Sequence, residues 1–70
     1  MIIFTRHALD RIRKRKLSKD EVIEAIKHPD RTLKRHGKHY YRKKLNRGII
    51  EVPCERTENN INVITVYWLR

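Results

Sequence analysis

An α+β fold with the element order β-α-α-β-β-β-β is predicted for this sequence. Three observations predict it: two helical segments near the start have clear capping residues, the remainder alternates as β-strands do, and glycine or asparagine marks the turns between those strands. Two helices that precede an antiparallel sheet pack together on one of its faces. Residues 1–70 are therefore expected to form a single domain.

The first part of the chain predicts a short strand and an amphipathic helix. The strand covers Ile2 to Phe4, and Thr5 is suited to cap a helix that runs to about Lys16. One face of this helix is apolar and carries Ala8, Leu9 and Ile12. That face is expected to pack on the sheet.

The second helix has the clearest boundaries in the sequence. Ser18 is followed three residues later by Glu21, which is the spacing of a capping box. Pro29 ends the helix because it donates no N–H and pushes His28 out of the helical region.

The remaining chain predicts an antiparallel meander of four strands. We place them at Thr32 to Arg35, His39 to Leu45, Ile49 to Glu55 and Ile61 to Leu69. The last strand is apolar or β-branched on both faces, so a central position is expected. Pro53 lacks a ladder donor, which predicts an edge or a bulge in its strand.

The charge of the chain favours a polyanionic partner. Eighteen Lys and Arg against eight Asp and Glu give a formal net charge of +10. Such an excess suits RNA, DNA, anionic lipid or an acidic protein. The alternative, a charged surface adapted to heat, is weaker because the acidic residues do not keep pace with the basic ones.

The single cysteine gives an indication of the cellular compartment. Cys54 has no partner for an internal disulfide, so a reducing cytoplasm is the expected location. The apolar start is too short for a signal-peptide core, and no apolar run approaches the length of a membrane span. We therefore expect no membrane partner.

A family resemblance rests on the stretch "FTRHALDRIRKRKLSKDEVIEAIKHPD" and on the closing "VITVYW". Together they resemble the DUF4258 family, in which a His-Ala-x-x-Arg helix start precedes a second, box-capped helix. The matching positions here are His7, Ala8, Arg11 and Arg15, and Lys16 stands where the family often turns with glycine. The family looks like a branch of the RelE/ParE-like toxin fold, so the resemblance implies a RelE-like domain.

The resemblance also implies an activity and partners. The best-known toxins of that fold are endoribonucleases that cut mRNA, on the ribosome or free, and are paired with an antitoxin, while others inhibit gyrase. The expected function is therefore a metal-independent endoribonuclease toxin, with RNA and an acidic antitoxin protein as partners and a homodimer as a further assembly. The alternatives are a non-catalytic RNA- or DNA-binding module and a toxin-fold interaction protein without nuclease activity.

Metal-free RNA cleavage needs a base, a cationic group for the phosphate and an acid. His7, Arg11 and Arg15 form one ridge of the first helix, beside its apolar face. Histidine can transfer a proton near neutral pH, and arginine can bind two phosphate oxygens. These three residues are the predicted catalytic group on the helix, with Arg6 and Lys14 as nearby nucleic-acid contacts.

The segment "HYYRKK" supplies further candidates. Aromatic residues among basic ones suit single-stranded RNA, because a tyrosine can stack on a base or donate a proton. We predict Tyr41 as a fourth catalytic residue and list as nucleic-acid contacts His39, Tyr40, Arg42, Lys43 and Lys44. Tyr67 on the last strand belongs to the same set of sheet aromatics, and these residues are expected to divide between the core and the outer face of the sheet.

No cofactor or metal site is predicted. The carboxylates are scattered, and His36, His39 and Cys54 make at most an incidental zinc site because no CxxC pair is present. No glycine-rich phosphate loop is present either.

Overall fold

The computed structural model describes residues 1–70 and has the predicted α+β architecture. Its two helices are α1 (Arg6–Lys14) and α2 (Lys19–Lys27). Its strands are β1 (Ile2–Phe4), β2 (Arg31–Arg35), β3 (Lys38–Leu45), β4 (Gly48–Arg56), β5 (Ile61–Val63) and β6 (Tyr67–Leu69).

Both helices begin where their capping residues predict. The Thr5 hydroxyl accepts the N–H of Ala8 at 3.0 Å, and α2 has the complete Ser18–Glu21 capping box. Between the helices, Lys16 adopts a φ of +58°, a left-handed conformation that glycine accommodates most easily.

The sheet is mixed, so the prediction of a purely antiparallel sheet is wrong in one pairing. The strand order is β1-β5-β4-β3-β2, and β1 runs parallel to β5. The helices carry the chain from β1 across one face of the sheet to β2 at the opposite edge, and β5 follows only after β3 and β4. The chain between β1 and β5 is therefore long enough to make them parallel neighbours.

The predicted last strand is divided into β5 and β6, which both pair with β4. The division falls at residues 64–66, beside Pro53, which has no N–H to offer a neighbouring strand. Two side chains of the α1 region compensate: Arg15 Nε donates to Val66 O at 2.8 Å, and the Thr5 hydroxyl lies 3.2 Å from Ile64 O. The proline therefore interrupts the neighbouring strand, although its own strand is central.

The core lies between the helices and one face of the sheet. Ala8 and Ile12 of α1 and the apolar face of α2 pack against alternate residues of β3 and β4. Neither helix is long and apolar enough to cross a membrane. Because both helices lie on the same side, the other side of the sheet is left uncovered.

Candidate functional site

The uncovered side of the sheet, here called the open face, is defined by the strand alternation. Tyr41 of β3 pairs with Val52 of β4, and both side chains lie in the core. Because side chains alternate along a strand, the residues before and after Tyr41 and Val52 have side chains on the opposite face, away from the helices. The side chains of the open face in β3, β4 and β6 are Lys38, Tyr40, Arg42, Lys44, Ile49, Glu51, Pro53, Glu55, Tyr67 and Leu69.

A buried carboxylate lies near the middle of the open face. Glu51 is only 6% exposed, although no helix covers it. Arg42 Nε donates to its Oε1 at 2.7 Å, and the Tyr67 hydroxyl donates to its Oε2. The three side chains lie in register across β3, β4 and β6. The Arg42–Glu51–Tyr67 triad therefore satisfies the carboxylate from both sides, as a buried charge requires.

Each member of this triad alters the others electrostatically. Burial alone would raise the pKa of Glu51, but the hydrogen bonds from Tyr67 and Arg42 and the Arg42 charge outweigh it and hold this pKa below its ordinary value. Burial, the hydrogen bond to Glu51 and the charge of Glu51 raise the pKa of Tyr67 to about 12. At neutral pH the carboxylate is ionised and the phenol is protonated.

The guanidinium of Arg42 is held by a hydrogen bond at its Nε, while its Nη groups remain available. Its Nε is taken by Glu51, and its two Nη groups have no hydrogen-bond partner in the protein. Arg42 also lines a cleft of about 820 Å³, together with the cationic residues Arg31, Lys43 and Lys44. A phosphate in this cleft would meet a guanidinium that is already oriented.

The predicted helix ridge lies on α1 and its C-cap, and no hydrogen bond links its three side chains to one another. His7 is exposed and makes no hydrogen bond or ion pair. Arg11 is half-buried, with its Nε 3.9 Å from Asp10 Oδ2. Arg15 uses its Nε to bond Val66 O, and its own carbonyl accepts the Trp68 indole N–H. Arg15 thus joins α1 to the interrupted strand, which is a structural task.

The other predicted catalytic residue, Tyr41, lies on the helix-covered face of β3. It is 4% exposed, and its hydroxyl accepts a hydrogen bond from Arg56 at 3.1 Å. No hydrogen bond connects it with His7, Arg11 or Arg15. A ring buried to this degree has no free face on which a nucleobase could stack.

His39 also lies on the helix-covered face, beside Tyr41. Its ring stacks on the Tyr41 ring with centroids 6.0 Å apart, and its Nδ1 is buried without a hydrogen-bond partner. Burial and the charges of Arg56 and Lys34 lower the pKa of His39. The imidazole is therefore neutral at pH 7 and adds no positive charge for a phosphate.

The predicted nucleic-acid contacts are divided between the two sides of the molecule. Tyr40, Arg42 and Lys44 lie on the open face. Lys43 lies on the covered face, where its Nζ donates to His28 O at 2.8 Å. Arg6 and Lys14 belong to α1, across the sheet from the open face. The open face therefore unites only part of the predicted set.

Glu51 is the site residue that the sequence did not single out, and Tyr67 was named among the sheet aromatics without a specific role. A signal was present for Glu51: it is the only charged residue within "GIIEVPC", a strand that is otherwise buried or apolar. A lone carboxylate in such a strand must find partners or lie on an open face. Its pairing with Tyr67 depends on the register of β6, which the sequence does not reveal.

No group of three or more His, Cys, Asp or Glu side chains is placed to hold a metal ion. The predicted incidental trio includes Cys54, which is fully buried and whose pKa burial raises to about 12. A thiol at this pKa stays protonated and is a poor metal ligand at neutral pH.

A match to a known protein family extends over both helices and most of the sheet. Residues 4–68 match the family model described as "Domain of unknown function (DUF4258)". The chain belongs to the DUF4258 family. Searches among curated proteins and among solved structures find no significant match. The family match covers both helices and all three residues of the Arg42–Glu51–Tyr67 triad of this DUF4258 protein.

Proposed function

We propose that this DUF4258 protein is a metal-independent endoribonuclease that acts on single-stranded RNA at the open face. The observation that carries the proposal is the Arg42–Glu51–Tyr67 triad, an ionised carboxylate held between an arginine and a tyrosine on an uncovered, basic surface. The resemblance to RelE/ParE-like toxins supports the same activity and adds that expression would arrest growth.

The open face offers binding groups suited to single-stranded RNA. Cationic side chains attract the phosphates, and Tyr40 and Tyr67 present half-buried rings on which bases can stack. The cations of this face on β2 and β3 are Arg31, Arg35, Lys38, Arg42 and Lys44. RNA is favoured over DNA because the reaction below needs a 2′-hydroxyl.

In the proposed reaction the 2′-oxygen of a nucleotide attacks its own 3′-phosphorus, and the bond from phosphorus to the 5′-oxygen breaks. Glu51 is too buried to touch the substrate. Tyr67 is more accessible, and its hydroxyl is hydrogen-bonded to Glu51. The 2′-hydroxyl proton passes to the Tyr67 oxygen as the phenolic proton moves to Glu51, and water protonates the leaving 5′-oxygen. Glu51 then returns its proton to solvent through Tyr67.

Arg42 has the electrostatic role in this scheme. Arg42 lines the cleft, and its Nη groups, which bond no other protein group, stabilise the extra negative charge that develops on the phosphate oxygens. Glu51 is a positioning residue for this guanidinium as well as the final proton acceptor. The products would be a 2′,3′-cyclic phosphate and a 5′-hydroxyl.

The test is incubation of a labelled single-stranded RNA with the protein in EDTA, followed by analysis of the product ends. Arg42→Gln is expected to reduce cleavage by about 10²–10³-fold, and Tyr67→Phe by about 10²-fold or more while RNA binding persists. Arg13→Gln is the matched control, because Arg13 is 83% exposed on α1 and lies away from the open face. Its activity should stay within about twofold of the parent.

The same assay separates the helix ridge from the open face. His7→Ala should leave cleavage unchanged, because His7 makes no contact with the triad. Loss of cleavage in His7→Ala with retention in Tyr67→Phe would refute the open-face site.

A second candidate function is a non-catalytic RNA-binding module. It is favoured by the complete hydrogen bonding of the Glu51 carboxylate, which makes the open face a rigid platform. RNA binding that weakens steeply with salt, without product formation in the parent protein, would select this function.

A further inference from the structure

The outer edge of β2 is an unpaired sheet edge. β2 (Arg31–Arg35) is the last strand on its side and pairs only with β3. The backbone N–H and C=O groups that point away from β3 therefore have no strand partner. The opposite edge, β1, is shorter, at three residues, and carries no charged side chain.

Three of the five side chains of β2 are cationic, and these three have no ion-pair partner. Arg31, Lys34 and Arg35 are exposed, and none forms an ion pair. By contrast, the neighbouring cations Arg42 and Lys43 each have a carboxylate within 4 Å, at 2.7 Å from Glu51 and 3.8 Å from Asp30. The unpaired positive charge is thus concentrated where backbone groups are also unpaired.

Charge on an edge strand has a protective effect that must be weighed first. Lysine and arginine on an edge discourage pairing with other strands, and here they would repel a second copy of this chain placed edge to edge. That protection does not extend to an acidic strand, whose side chains would neutralise the same cations. The edge therefore excludes self-association and selects for the opposite charge.

We propose that the β2 edge binds an extended acidic segment of another protein, which adds to the sheet as a further strand. This inference goes beyond the proposed nuclease and does not depend on it. Backbone hydrogen bonds would supply affinity, and side chains at alternate positions would supply specificity.

The β2 sequence also specifies the pattern of that segment. Arg31, Leu33 and Arg35 share the open face, because Leu33 pairs with Tyr40 there. The complementary strand carries an acidic, an aliphatic and a second acidic residue at alternate positions. This pattern reads the same in both directions, so it suits a parallel or an antiparallel addition. An acidic residue at an intervening position would meet Lys34.

The experiment uses the full chain and a capped synthetic peptide with glutamate, valine and glutamate at alternate positions and threonine between and outside them. Binding is followed by NMR amide shifts and amide hydrogen exchange. The expected result is saturable binding with the largest shifts in Arg31–Arg35 and slower exchange of β2 amides. Shifts spread evenly over all basic surfaces would overturn the proposal.

Two controls separate strand addition from charge attraction. A peptide with the same side chains and a fully N-methylated backbone cannot donate backbone hydrogen bonds, and its affinity should fall at least about tenfold. Equal affinity for the two peptides would mean charge attraction alone and would overturn the proposal.

The protein variant is Arg31→Glu with Arg35→Glu, compared with the matched pair Arg6→Glu and Lys27→Glu on the helices, where both residues are exposed and free of ion pairs. The β2 pair should lose binding by about tenfold or more, and the helix pair by less than about threefold. If the β2 pair does not fold by circular dichroism, Arg31→Gln with Arg35→Gln replaces it with the same expectation. Unchanged binding in the folded variant, or edge-to-edge dimers in sedimentation of the parent, would contradict the proposal.

Discussion

The two faces of the sheet bury neighbouring residues of β4 in different ways. Ile50 and Val52 are fully buried beneath the helices, whereas Glu51 between them is buried on the open face, where no helix lies. The covered face excludes water with a second layer of structure. The open face excludes it locally, by placing Arg42 and Tyr67 over the carboxylate.

This difference shows that burial alone does not report function. The buried core side chains of the covered face are mainly apolar and stabilise the fold through the area they remove from water. Glu51 is almost as inaccessible, but its burial has a desolvation cost that only its two partners offset. An inaccessible charge of this kind, on an otherwise accessible surface, is the feature that distinguishes the candidate site.

The largest expected effect is a difference in stability between alanine variants of two adjacent residues, one on each face of the sheet. Ile50→Ala should destabilise the protein by about 3–4 kcal/mol, because Ile50 is fully buried in the core. Ile49→Ala on the open face, where Ile49 is 41% exposed, should cost less than about 1 kcal/mol. Urea unfolding of both variants measures the difference. Similar losses would mean that the open face is packed against something in solution.

An intermediate effect is expected at Glu51, and it depends on pH. The folded-state pKa of Glu51 lies below the ordinary value of 4.5, so the carboxylate stabilises the folded state above that value and loses this contribution as pH falls through the folded pKa. Glu51→Gln should therefore be less stable than the parent by about 1–3 kcal/mol at pH 7. The gap should narrow in urea titrations as the pH falls below 4.5.

Glu55→Gln is the control for that pH dependence. Glu55 lies on the same face of β4 but is exposed and makes no ion pair. Its replacement should change stability by less than about 0.5 kcal/mol over the same pH range. A gap for Glu51→Gln that stays constant with pH would show that the hydrogen bonds of Glu51, rather than its charge, stabilise the fold.

The smallest expected effect concerns α1, on the covered side. Arg15→Ala should cost about 1 kcal/mol, because it removes the donor to Val66 O beside the interrupted strand. Arg13→Ala should change stability by less than about 0.5 kcal/mol, since Arg13 is 83% exposed. Thermal unfolding of the two variants gives the comparison, and equal melting temperatures would contradict the structural role of Arg15.

Local chemistry made much of the fold predictable. The Ser18–Glu21 capping box and Pro29 determine where α2 begins and ends, because these effects act within a few residues. The division of the last strand was not predictable, because it depends on Pro53 lying opposite residues 64–66 and on side chains of the α1 region. Similarly, the parallel pairing of β1 was not predictable, because it joins residues 2–4 to residues 61–63, which are far apart in the chain.

The sequence by itself determined the helix boundaries, the positive charge and the chemical types available for a nucleic-acid site, since each depends on composition or on residues close in the chain. Only the tertiary structure decided which of those residues meet. It assigned Arg15 to a backbone carbonyl and Tyr41 to the core, and it brought Arg42, Glu51 and Tyr67 together from three strands. Register, unlike helix periodicity, depends on the packing of the whole sheet, and one step of register places a side chain on the other face.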